Sequence, residues 1–391
     1  MGLQSWDIGI GSNCINIAKE FSKHNRVLYV NRAVDRSSTF RNTSDPKTKR
    51  RLEVLKGQRP DLIQESENLW VLDPNVMMES INWMPKGLFD FFNNRNSKAL
   101  ANCIKQAAQR IGFSHTILFI DNDFFRTQRF KEVLKPDKMI YYIRDFLTQQ
   151  PYFKKHGPRM EAAIMKQADV VVANSSYLAD YGRTHNSCSF DIGQGCDFTY
   201  FNPERTYSKP EDLVPIKGPV IGYVGALVHF RLDITLLENL AESRPDWSWV
   251  FVGPEDEAFQ KSKLHAMPNV FFLGKKEEKV LAQYVSFFDV CLNPQLVNEI
   301  TIGNYPRKVD EYLALGKPVV ATYTDFMTGF LPWVYLCKDK FGYEEAIQKA
   351  LQEPESTEVK GNRQSFALSH TWENSVLKID NALKSLGQNG K

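Results

Sequence analysis

From Val220 onward, short runs of consecutive apolar residues alternate with stretches whose apolar positions fall three and four apart. "VIGYVG", "WSWVFVG", "NVFFLG", "DVCLNP" and "KPVVAT" read as strands buried on both faces. Between them, "RLDITLLENLAESRP" sets Leu232, Leu236, Leu237 and Leu240 at helical spacing, and Pro245 stops it. "KEEKVLAQYVSFF" and "YEEAIQKALQ" are helical as well. Fully apolar strands separated by helices predict a parallel sheet covered on both faces.

The first half repeats the alternation with longer insertions. "NCINIAKEFSKH" reads as a helix; "RVLYVN", "LWVLDP", "HTILFID", "MIYYIRD" and "ADVVVANS" read as strands. Ser175 is placed to cap the helix "SYLADYGRTH". Pro, Asp and Lys without periodicity mark 203–218 as a linker. The last segment puts Trp372, Val376, Ile379, Leu383 and Leu386 on one face, so 371–391 is an amphipathic helix that needs a packing partner. The pattern predicts an α/β protein of two doubly wound, Rossmann-like domains, 1–202 and 219–370, facing a cleft. Ligands of such sheets bind beyond the strands' C-terminal ends, which makes the cleft the expected site.

Composition narrows this picture. A chain of 391 residues exceeds what one core usually supports, in line with two domains. Lys and Arg number 49 against 46 Asp and Glu, so no overall charge argues for nucleic acid. The six cysteines form no C-x-x-C pair and no zinc-spaced cluster, which points to a reducing cytosol and no metal. The sequence contains no apolar run of about 18 residues that could span a bilayer, and "MGLQSWDIGIGSN" lacks the features of a secretory signal.

The densest chemistry lies in "NYPRKVDEYLALGKPVVAT". Pro306 suits a first helical position and Gly316 a helix end, giving a helix of about Pro306 to Leu315 with Val309, Tyr312 and Leu313 buried. Arg307 and Lys308 then stand at a helix start, which already attracts anions. Glu311 opposes that field, and a carboxylate there suits two neighbouring hydroxyls, as a ribose presents. Diphosphate and ribose together describe a nucleotide. The plainer alternative is a solvated helix decorated by Arg307–Glu311 and Lys308–Glu311 pairs.

"PRKVDEYLALGKPVVAT", with "YVGAL" and "RLDITLLENLAESRPDWSWVFVGP" before it, resembles the donor domain of glycosyltransferase family 4 enzymes of the GT-B fold. The likeness is strongest to the bacterial subset that builds surface polysaccharides, teichuronic-acid-type enzymes included. "ADVVVANSSYLADY", "GQGCDFTYFNP" and "SHTWENSVLKI" resemble that family's first-domain end, linker and closing helix, which implies that 371–391 packs back toward the first domain. The resemblance implies transfer of a sugar from a nucleotide-sugar to an acceptor hydroxyl, with retention and without metal or cofactor. By position it implies Glu311 on the ribose, Lys308 and Arg231 on the diphosphate, and Gly225 admitting the donor to the backbone.

Two positions depart from the family pattern. Gly303 stands eight residues before Glu311, where many members carry a sugar-contacting glutamate, and Glu299 is out of register. Ala226 replaces an arginine common after the first glycine. These departures leave the sugar and the stereochemistry open.

In the first half, Gly11 and Ser12 precede a helix, so their N–H groups are candidates to face the donor phosphates. A dinucleotide fingerprint fails there, because Cys14 takes the place of the third glycine and Asn31 that of the acid. A family-like first strand belongs before Trp6, where five residues stand; either that strand is very short or the chain starts upstream. Asp145 ends a strand and is the candidate to orient or deprotonate the acceptor hydroxyl, with Asp121 and Asp123 as weaker ones. Its alternatives are a capping role or a pair with Arg144.

A basic run at 41–59 and an aromatic segment at 81–92 suit anionic lipid and a lipid-linked acceptor at the inner face of the cell membrane. Each also has a bland reading, as a basic loop and a core segment. Two rival functions stay open: a nucleotide-sugar epimerase of similar build, and a non-catalytic nucleotide-sugar-binding protein.

Overall fold

A computed structural model describes residues 1–7, 12–37, 45–299, 301–303, 305–354 and 356–388. The chain divides into two compact units, 1–193 with 372–391, and 194–371. The stretch 203–218, expected as a linker, belongs to the second unit, whose core takes Leu213 and Ile216. The terminal helix belongs to the first unit.

The first unit holds two sheets. One orders β1 (Val27–Val30), β3 (Leu69–Leu72) and β2 (Leu62–Ser66), with β1 parallel and β2 antiparallel to β3. The other is fully parallel, in the order β4 (Ile117–Asp121), β5 (Lys138–Ile143), β6 (Val170–Ala173), β7 (Ser189–Asp191). The sequence reading missed β2 and β7. β2, "LIQES", is polar and exposed at a sheet edge, so it lacks the apolar signal of a buried strand. Before Trp6 there is no strand; Gly2 makes a single parallel bridge to Asp121.

Both faces of β5 are buried, as its continuous apolar sequence requires. Met139, Tyr141 and Ile143 point to one core, with Ile164, Leu178 and Phe89. Ile140 and Tyr142 point to the other, which takes Ile17 of α1 (Asn13–Ser22) and Trp372 and Ile379 of α11 (Trp372–Gln388). The other helices of eight or more residues here are α2 (Pro46–Leu55), α3 (Lys86–Arg110), α4 (Gly157–Gln167) and α5 (Ser176–Arg183). Ser175 caps α5, its hydroxyl accepting from the Leu178 N–H at 3.4 Å.

The second unit has one six-stranded parallel sheet. Its strands are β8 (Val220–Val224), β9 (Ser248–Val252), β10 (Val270–Phe272), β11 (Val290–Asn293), β12 (Val319–Thr322) and β13 (Val334–Cys337). They lie in the order β10-β9-β8-β11-β12-β13. On β9, Val250 and Val252 enter one core while Trp249 and Phe251 enter the other. The helices are α6 (Ile234–Ser243), α7 (Glu278–Ser286), α8 (Arg307–Ala314), α9 (Lys340–Leu351) and α10 (Thr357–Leu368). Strand order reverses between β8 and β11, and a doubly wound sheet opens a crevice at that switch point.

Candidate active site

The switch point of the second unit gathers most of the residues singled out from the sequence. Helix α8 starts at Arg307; Pro306 precedes it as the capping residue, one position earlier than the sequence suggested. Its end is a Schellman turn. Gly316 adopts φ +72°, its N–H donates to Leu313 O at 2.8 Å, and the Lys317 N–H donates to Tyr312 O at 3.1 Å.

The helix is fixed to β8 by its buried face. Val309, Tyr312 and Leu313 are fully buried. Tyr312 Oη accepts from the Val224 N–H at 2.9 Å, which pins the middle of α8 to the C-terminal end of β8. Lys308 Nζ donates to Tyr223 Oη at 2.9 Å and lies 4.7 Å from the centre of its ring, so one aromatic side chain holds the cation twice over.

Gly225 follows β8 with φ +145°, a conformation that L side chains rarely adopt. A Cβ there would stand 3.0 Å from Lys308 Nζ. At Gly253, the residue after β9, a Cβ would stand 1.9 Å from Gly225 O. Two backbones thus meet at the sheet rim beside the ammonium, which only paired glycines permit.

Arg307 Nε donates to Glu311 Oε1 at 3.1 Å, one turn on. Burial raises the Glu311 carboxyl above its ordinary range, and Arg307 and Lys308 oppose that rise. Asp310 is fully buried. It accepts from Tyr305 Oη at 2.6 Å and lies 2.8 Å from His370 Nδ1. This carboxylate faces inward and ties α8 to the residues before α11, leaving Arg307, Lys308 and Glu311 as the candidate trio. At the end of β11, Asn293 Nδ2 is buried without a hydrogen-bond partner, an orphan donor at the same rim.

Arg231 is exposed and makes no ion pair among the described residues. Its loop is bound to the stretch after β11: the Leu296 N–H donates to Arg231 O at 2.8 Å, and the Asp233 N–H to Pro294 O at 3.0 Å. Gly303 is buried and Glu299 exposed. Tyr223, Gly253, Asp310 and Asn293 escaped the sequence reading. Gly253 alone had a visible signal, a glycine closing an apolar strand.

In the first unit, Gly11 lies outside the described residues. Ser12 is buried at the start of α1, and its hydroxyl turns inward to Gln4 Oε1 and, at 3.1 Å, Cys14 Sγ. Asp145 follows β5 and is partly exposed. Its carboxylate lies 4.0 Å from Arg144 Nη1, while Arg144 Nε makes the short 2.7 Å bond to buried Asp121. Burial works against the Arg144 charge, but Asp121 and Asp145 raise its affinity for the proton. Asp145 is therefore the less committed carboxylate of the pair. Asp123 is buried and bonded to Arg126 at 3.0 Å. Among the described residues, no group of three or more His, Cys, Asp and Glu is arranged to hold a metal ion.

Comparison with known proteins fits this geometry. Residues 218–351 match the family model for glycosyl transferases group 1. A putative teichuronic acid biosynthesis glycosyltransferase of Bacillus subtilis (strain 168), TuaH, is 25% identical over 229 residues, 54% of this chain. The match spans 56% of that protein's length. Sucrose-phosphate synthase from Thermosynechococcus elongatus superimposes with a TM-score of 0.65 at 16% identity, covering 96% of this chain and 93% of that one. Anabaena HepE in complex with UDP-glucose gives 0.64 at 16% identity, covering 98% of each chain. The chain accordingly has the GT-B fold, and the part of its second unit from 218 to 351 is similar to glycosyl transferases group 1.

Proposed function

We propose that this protein transfers a sugar from a nucleotide-sugar donor to a hydroxyl of a glycan or lipid-linked acceptor in surface polysaccharide synthesis, at the inner face of the cell membrane. One observation carries the reading: a helix start bearing Arg307, Lys308 and Glu311 stands beside the Gly225–Gly253 contact at a doubly wound sheet's switch point. The kinship with an enzyme named for teichuronic acid biosynthesis and the UDP-glucose complex of a protein of the same fold support it.

In this reading the donor diphosphate lies at the start of α8, where N–H groups and Lys308 stabilise the negative charge that grows as the sugar–phosphate bond breaks. Arg231 meets the same group from its loop. Glu311 accepts from the ribose hydroxyls, and Arg307 keeps it ionised against its burial. The acceptor oxygen bonds to the anomeric carbon on the same face from which the diphosphate departs, as that C–O bond breaks, with retention and without a metal. Asp145 orients the acceptor hydroxyl and takes its proton.

The test is calorimetry of the purified protein against a panel of nucleotide-sugars, followed by assay of released nucleotide. One donor should bind, bind at least tenfold more weakly to Glu311→Ala, and be slowly hydrolysed. Binding without release, even with lipid acceptors, would identify a nucleotide-sugar-binding protein, and sugar inversion without acceptor an epimerase. Failure of every donor to bind would return α8 to an ordinary salt-bridged helix.

A further inference from the structure

The segment 81–92 has two sides. Ile81, Met84, Phe89 and Phe92 enter or border the core of the first unit. Trp83, Leu88 and Phe91 point the other way, with 73%, 54% and 64% of their surface exposed. Leu88, Phe91 and Arg95 follow each other along one stripe of α3. Tyr152, 58% exposed, sits in the short helix Pro151–Lys154 beside Asn82.

The two stretches are fastened together. Asn82 Nδ2 donates to Tyr152 O, Lys155 Nζ donates to Trp83 O at 2.7 Å, and the His156 ring stacks on Phe89 with centres 3.9 Å apart. The exposed rings therefore sit on a rigid base.

The charge around them has one sign. Lys86, Arg95 and Lys154 are exposed and make no ion pair among the described residues. The nearby acids are paired with cations: Asp90 with Arg159 at 2.5 Å, Glu79 with Arg36 at 2.8 Å and Asp35 with Arg32 at 3.8 Å. Part of the basic run expected to share this role is differently employed, while its Lys47, Lys49 and Lys56 stay exposed. Arg50 and Arg51 turn to Asp73 at 3.2 and 3.6 Å, Arg51 also reaches Asp7 at 2.7 Å, and Arg59 pairs with Glu53 at 2.8 Å. Its residues 41–44 lie outside the described residues.

We infer that Trp83, Leu88, Phe91 and Tyr152, bordered by Lys86, Arg95 and Lys154, form a docking face for an anionic lipid bilayer. Aromatic rings and leucine settle at the headgroup boundary, while lysine and arginine meet the lipid phosphates. A second copy of the chain fits less well, because it would bring like charges together. Tyr152 lies seven residues beyond Asp145 in sequence, so the same loop region carries the docking face and the proposed acceptor group. The inference rests on the lipid-linked acceptor reading for its purpose, not for its test.

The test is sedimentation with vesicles of phosphatidylcholine alone or mixed with phosphatidylglycerol. The wild type should bind the mixed vesicles and be released by salt. Lys86→Gln and Lys154→Gln should each weaken binding about fivefold. Trp83→Ser with Phe91→Ser should weaken it by about tenfold or more, with melting temperature and nucleotide-sugar binding unchanged. Equal binding to both vesicle types, binding indifferent to all these variants, or no binding would overturn the proposal. Self-association lost in the double variant would overturn it too, in favour of a second copy. Vesicle binding by a protein that takes up no nucleotide-sugar would sink the catalytic reading alone.

Discussion

Lys308 Nζ lies 2.9 Å from Tyr223 Oη and 4.7 Å from the centre of the same ring, joining residues 85 positions apart. The tyrosine holds the ammonium beside Gly225 without neutralising it. Tyr223→Phe keeps the ring and removes the hydrogen bond, and should weaken donor binding about tenfold, since a bond to a charged group is worth about 1.5 kcal/mol. Lys308→Ala should lower kcat by about a hundredfold or more, because it removes a stabiliser of the leaving group's charge. Steady-state kinetics with the donor found by calorimetry would separate the two effects.

Gly253→Ala should be more damaging than its small size suggests. The new methyl would stand 1.9 Å from Gly225 O, and backbone cannot step aside as a flexible side chain can. The expected cost is about 1–3 kcal/mol, read as a lower melting temperature together with loss of nucleotide-sugar binding. Unchanged binding would show that the Gly225 loop does not shape the donor site.

Tyr312→Phe should destabilise the second unit by about 1–3 kcal/mol, because the Val224 N–H loses a buried acceptor. Chemical denaturation followed by tryptophan fluorescence would measure it. Donor affinity should fall with it if the Tyr312–Val224 bond sets the position of α8.

The first unit should respond to pH through Glu161. This residue is fully buried and accepts from Tyr141 Oη at 2.8 Å and Tyr181 Oη at 2.9 Å, and burial pushes its carboxyl up to about 7. A folded-state value above the unfolded one means that the neutral form is favoured by folding. Its stabilisation is complete below about pH 4.5 and is lost as pH rises to about 7, a difference of about 3 kcal/mol. Glu161→Gln should flatten the melting temperature across that window and raise it at pH 8. An unaltered slope would assign the pH dependence to other groups.

Much of this protein was legible from local pattern. Strands such as "SWVFV" and "VVAT" are apolar but for one terminal hydroxyl residue because both faces are covered, and such a run is visible without knowing the partners. The buried trio Val309, Tyr312 and Leu313 and the closing Gly316 obey spacings of three and four residues and a single backbone angle, all properties of adjacent chain. Arg307, Lys308 and Glu311 could be placed on one helix start for the same reason. What the tertiary structure alone decided joins distant residues: Tyr223 with Lys308, Gly225 with Gly253, and Asp310 with His370. It also decided the polar edge strand β2, the division of the first unit into two sheets, and the turning of Arg50 and Arg51 from surface charge to half-buried partners of buried Asp73. Periodicity reports which side of an element meets the core. It carries no term for which other element waits there, and these contacts depend on that.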